Sequence, residues 1–149
     1  MSASRLTRFA WPLSAAMLFA TTAQAMEIRQ FDKMADQHQS AYIGDLIVGS
    51  EYVLTDEGNP DLAAQVKHLF TTKLAGDADV MGMVELERNL ALARVADAKR
   101  AAKDPSAHRL EVEDAMLVTL EKNNIPLSQQ FIRAFRAINS NFKPKYPPQ

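Results

Sequence analysis

Between residues 80 and 103 the chain reads VMGMVELERNLALARVADAKRAAK, with no proline and a single glycine, Gly82, near the start. Alanine, leucine, glutamate, arginine and lysine dominate, and these lose least on entering a helix. At about 100° per residue, Met83, Leu86, Leu90 and Ala93 fall on one face, and Met81, Val84, Leu92 and Val95 on a roughly opposite one. A surface helix carries one apolar stripe, so two stripes imply neighbours on both sides. The pattern predicts that this helix is the centre of a small bundle.

The flanking stretches supply the neighbours. Over residues 33–57, Tyr42, Ile43, Leu46, Ile47, Val53 and Leu54 recur in threes and fours, an amphipathic helix with Asp32 as its expected N-cap. Gly44 and Gly49, beside Ser40 and Ala41, leave part of its surface small enough for close approach by another helix. Gly58-Asn59-Pro60-Asp61 then reads as a left-handed C′ glycine, an N-cap, an N1 proline and a first-turn acid. So short a turn makes the two helices an antiparallel pair. The second of them, residues 60–73, presents Leu62, Val66, Leu69 and Phe70, and residues 74–79 form a loop around Gly76.

Asp104-Pro105 ends the central helix and is expected to cap and open the next, which carries Leu110, Met116, Leu117 and Leu120 and closes near Asn123 and Asn124. Ser128 caps a last helix whose Phe131, Ile132, Phe135, Ile138 and Phe142 make one stripe expected to face the core. The ending KPKYPPQ cannot be helical and should be extended; its spaced prolines would suit the aromatic groove of a partner. No stretch alternates for long enough to require a strand. The expected fold is all-α, a bundle of about five helices over residues 26–142 with an extended tail over 143–149.

The first residues, MSASRLTRFAWPLSAAMLFATTAQA, have the layout of a secretory leader: Arg5 and Arg8, an apolar run, then small residues at Ala23 and Ala25. Cleavage is expected after Ala25, and the run, broken by Pro12, is too short for a membrane anchor. The expected location is therefore the periplasm or the outside, with no stable membrane insertion after cleavage. Arg5 and Arg8 would leave with the leader, so 15 basic residues remain against 18 acidic ones. That mild acidity gives no reason to expect a nucleic acid or an anionic membrane as partner. The chain has no cysteine, which excludes thiol catalysis, disulfides and thiolate metal sites and leaves packing to hold the domain together.

Candidate chemistry is sparse. Asp77, Asp79 and Gly82 match three positions of an EF-hand loop, but Met81 cannot ligate and Arg88 stands where the bidentate acid belongs, so both aspartates are expected to cap the helix that follows. His38, His68 and His108 lack the spacing of a zinc pair. Glu111, Glu113, Asp114 and Glu121 make the fourth helix acidic, while Arg88, Arg94, Lys99 and Arg100 make the central one basic. Such charges form a solvated surface with weak pairs, and carboxylates on one helix do not amount to a hydrolase site. No catalytic, cofactor-binding or metal residue is expected.

The segments AYIGDLIVGSEYVLTDEGNPDLAAQVKHLF, LARVADAKRAAKDP and RLEVEDAMLVTLEKNNIPLS, with the basic proline-rich ending, resemble a family of small secreted bacterial proteins of uncharacterised function. Tyr42-Ile43-Gly44 also resembles a segment of the periplasmic immunity proteins that block type VI amidase effectors, although the glycine stands one position early and the cysteines usual there are missing. Neither likeness carries a site. The expectation is a non-catalytic helical protein that binds another exported protein, with toxin immunity or an envelope stress or chaperone role as alternatives.

Overall fold

A computed structural model describes residues 25–142, with side chains as far as residue 138. Apart from Ala25, the expected leader lies outside these residues, as does the tail over 143–149. Among the described residues six helices follow one another: α1 (Ile28–Phe31), α2 (Asp36–Asp56), α3 (Pro60–Leu69), α4 (Met81–Lys103), α5 (Val112–Lys122) and α6 (Gln129–Phe142). The fold is an all-α bundle, and α1 is a single turn made by the lead-in. None of these helices is long and apolar enough to cross a membrane.

Local chemistry sets several helix ends as expected. Gly58, with φ of +84°, follows α2 in the left-handed region. Its N–H donates to Thr55 O at 3.0 Å and that of Asn59 to Leu54 O at 2.8 Å, the paired bonds of a Schellman turn. Asn124, with φ of +64°, repeats the device after α5: its N–H reaches Glu121 O and that of Ile125 reaches Leu120 O, both at 3.1 Å. At the start of α6 the Phe131 N–H donates to Ser128 Oγ at 2.9 Å.

Other expected caps are displaced. Asp32 follows α1, and its carboxylate accepts a fork of bonds from Arg94 at 2.7 to 3.0 Å; Ala35, with no side-chain cap, precedes α2 instead. Asp77 and Asp79 do not cap α4. Residues 72–81 close on themselves through an antiparallel bridge of Lys73 with Val80, and Asp77 Oδ1 accepts only from the Asp79 N–H. Asp104 ends α4 and holds Ser106, while α5 begins seven residues beyond Pro105, at Val112. The intervening segment folds back over the bundle because its Arg109 and Leu110 have a buried partner in Asp97.

The centre of the bundle is α2, not α4. Tyr42, Ile43, Leu46, Gly49, Ser50, Val53 and Leu54 are buried along it, with α3 and α6 packed against it. Helix α4 packs on α5 and α1 through a face that buries Leu86, Asn89 and Leu90, and its first turn meets the end of α3 at the buried Gly82. The later half of its second stripe stays in solvent, with Leu92 59% exposed and Val95 54%, whereas Met81 packs against the core and Val84 is half-buried. Arg88 explains why. It lies four residues after Val84 and four before Leu92, in the middle of that stripe, and burying it unpaired would cost more than the flanking residues return.

Two glycines mark close approaches and one does not. A Cβ on Gly49 would stand 2.8 Å from the Ile138 side chain of α6, and one on Gly82 would stand 2.8 Å from the Leu69 carbonyl oxygen at the end of α3. Gly44 faces open space. Leu90→Ala should therefore cost about 2–5 kcal/mol as a buried leucine. Gly82→Ala should cost roughly 1–3 kcal/mol, because backbone must give way. Gly44→Ala should stabilise by roughly 0.5–1 kcal/mol. Urea melts of the three variants check this series; a loss below about 1 kcal/mol for Leu90→Ala would place that face outside the core.

Candidate functional site

Helix α5 places Glu113 three residues before Met116, four before Leu117 and seven before Leu120, so a carboxylate occupies its apolar stripe. Glu113 is wholly buried, as is Tyr42 of α2. The Tyr42 hydroxyl donates to Glu113 Oε2 at 2.5 Å, and the Met26 N–H donates to Oε1 at 3.2 Å. The lead-in is held there by main-chain bonds: Ile28 N–H to Leu110 O at 3.0 Å and Val112 N–H to Met26 O at 2.9 Å. Phe31 of α1 packs beside Tyr42, ring centroids 6.1 Å apart. The chain start, α2 and α5 therefore meet at one carboxyl group.

Burial raises the pKa of Glu113 from 4.5 to about 7, against the opposing pull of the Tyr42 hydroxyl and the Met26 N–H. Around it charges are better matched. Arg136 of α6 donates to Glu111 at 2.7 Å and to Asp114 at 2.6 Å, tying α6 to the start of α5, while Asp114 also accepts from the Glu111 N–H at 2.8 Å. One side along, buried Asp97 of α4 accepts from Arg109 and from the Leu110 N–H at 2.7 Å, and the Arg109 bond holds its carboxyl below the usual range. These two knots pin residues 109–114 from both flanks and hold Glu113 in place.

This arrangement offers no open face for substrate. Both Glu113 oxygens are engaged, and neither Glu113 nor Tyr42 touches solvent. The expectation of a solvated acidic helix therefore fails for Glu113, and Glu111 and Asp114 form specific pairs rather than a loose surface. Among the described residues no group of three or more His, Asp or Glu side chains could hold a metal. His38, His68 and His108 are not brought together: His68 sits beside the Thr72 hydroxyl, and His108 contributes its carbonyl to Arg100. Of the aromatic stripe of α6, Phe131 and Phe135 are buried with their rings stacked 5.6 Å apart, while the Phe142 side chain lies outside the described residues.

A second feature lies outside. Between α4 and α5 runs a shallow groove of about 280 Å³, walled by Leu92, Ala93, Ala96, Leu110 and Val118. Val118 is 40% exposed. Under it a polar ladder is fully made: Asn89 Nδ2 donates to Thr119 Oγ1, which donates to Ala115 O, both at 2.8 Å. The groove thus has satisfied polar groups at its base and uncovered apolar groups at its rim. Arg88 stands one turn before Leu92 and Lys99 one turn after Val95, and Lys122 lines the α5 side.

No protein-family model, curated protein or solved structure matches the chain.

A glutamate buried in its neutral form stabilises the fold most fully below the unfolded-state pKa and less as pH rises through the folded one. Stability should therefore fall by roughly 3 kcal/mol between pH 4.5 and 7 in a chain whose Met26 nitrogen is an amide. Glu113→Gln should remove most of that slope, leaving a smaller part from Glu111, whose pKa burial also raises. Urea melts across pH 4–8 measure both; an unchanged slope in the variant would rule Glu113 out as its source.

Proposed function

We propose that this is an exported, non-catalytic helical protein that works by binding another exported protein, and that the α4–α5 face is its binding surface. The observation that carries the reading is the exposed pair Leu92 and Val118 lining one groove, with exposed Val95 three residues along α4 from Leu92 and the Asn89–Thr119 hydrogen bond already made at its base. Large apolar side chains at 40 to 59% exposure on one face are typical of an interaction surface rather than of scattered surface residues. Arg88, Lys99 and Lys122 at its margin favour a partner segment with an apolar stripe flanked by acids. Export is supported by the layout of residues 1–25, and the absence of catalysis by the sealing of the buried carboxylate.

Leu92→Asp/Val95→Asp should leave the melting temperature within about 3 °C, since exposed positions carry little stability. It should weaken a stoichiometric complex with the exported partner by at least ~10-fold. Pull-down from envelope extracts followed by titration calorimetry reads this directly. Undiminished binding by the variant would move the surface elsewhere. Weak, saturation-free binding of many unfolded chains would instead indicate a chaperone.

A further inference from the structure

Glu113 is held like a carboxylate whose cation has yet to arrive. Its two oxygens both accept hydrogen bonds, from a phenol and from a backbone amide, and both donors are neutral. Among the described residues it forms no ion pair. Facing it are Tyr42 from α2, Glu111 at the head of its own helix and Arg136 from α6, whose guanidinium is committed to Glu111 and Asp114. The nearby guanidinium is thus already shared by two carboxylates, and Glu113 is a third beside it. Quite separately, the small residues Ala23 and Ala25 place the expected leader cut between Ala25 and Met26. The nitrogen that this cut would free is the one 3.2 Å from Glu113 Oε1. Two independent observations meet at one atom.

We propose that removal of the leader turns the Met26 nitrogen into an α-ammonium that ion-pairs with Glu113 inside the bundle, so that maturation supplies the missing cation and locks the fold. Water adds across the Ala25–Met26 amide, catalysed by the leader peptidase of the exporting cell. The C–N bond breaks, Ala25 leaves with a carboxylate, and the proton its new carboxyl sheds is taken up by the freed amine. The ammonium keeps the N–H that already reaches Glu113 and gains charge, which makes the bond a strong one. The order of events follows from burial. Met26 is 7% exposed, its carbonyl is bound by Val112 and Ala25 is half-buried, so folding restricts access to the bond and the cut is favoured before it. A molecule that folds uncut has a neutral amide at this position and keeps Glu113 uncompensated. That form pays the burial seen in the raised pKa, whereas the ammonium draws the carboxyl back towards its ionised state.

The inference rests on the leader reading, and the two can fail separately. Mass measurement of the exported protein should give Met26 as its first residue; another start would overturn both the cut and the pairing. The protein starting at Met26 is then compared with a form that retains Gln24 and Ala25, which moves the ammonium two residues away. The Met26 form should melt at least ~5 °C higher at pH 7. The gap should close above about pH 9, as the amine loses its proton, and should be absent in Glu113→Gln. Equal melting temperatures, or a gap that survives Glu113→Gln, would overturn the pairing while leaving the leader reading intact. If Glu113→Gln does not fold, the carboxyl carbon resonance of Glu113 decides: titration at clearly lower pH in the Met26 form supports the pairing, and identical titration in the two forms refutes it.

Discussion

A carboxylate in an apolar helix stripe must find its hydrogen bonds inside the protein, and the places those bonds come from decide what can move. Glu113 draws one from Tyr42 in the centre of α2 and one from the main chain at Met26, segments 71 and 87 residues away. Burying such a group with its bonds unmade would cost several kcal/mol, so the lead-in, α2 and α5 are obliged to arrive together. The flanking pairs of Arg136 and Asp97 serve the same end, since each fixes the segment that carries Glu113. Hydrophobic burial around Leu46, Leu54, Met116, Leu120 and Phe135 provides the bulk of the stabilisation, but it is compatible with many helix arrangements. The polar contacts select one.

Much of the bundle was legible in the sequence because its signals are local. Gly58-Asn59-Pro60, Asn123-Asn124 and Ser128 announce helix ends through backbone conformations and caps that need no distant partner. The stripes of α2 and α3, and that of α6 as far as Ile138, report their buried sides correctly. What failed was the ranking of helices. Two stripes on α4 suggested two neighbours, yet a helical wheel records which side is apolar and not whether another helix is there to cover it. Arg88, in the middle of the second stripe, was the available warning. Asp32 was misassigned for a related reason, since it looks like a cap in isolation and is engaged by Arg94, while Asp104 ends α4 as expected but caps only the turn at Ser106, well before α5.

The buried site was less legible. Glu113 looked like one more acid on an acidic helix, although its spacing to Met116, Leu117 and Leu120 puts it among the apolar positions. The partners could not be read at all. Pairing of residues 26–28 with 110–112 spans most of the chain and leaves no periodic trace, and nothing around Tyr42 marked the partner of its hydroxyl. The outer groove became visible only once α4 was known to have an uncovered side. The buried carboxylate explains how the scaffold is held, and the exposed Leu92, Val95 and Val118 carry the proposed partner surface.

The central claim is that the lead-in is an integral part of the fold rather than a loose end laid over it. Native-state hydrogen exchange of the Ile28 and Val112 amides tests this most directly, because these N–H groups close the main-chain bonds beside Glu113. If the account holds, both exchange only through global unfolding, with free energies matching those of core amides such as Leu46 and Leu120. Exchange at the rate of a frayed terminus, with the core still protected, would contradict it.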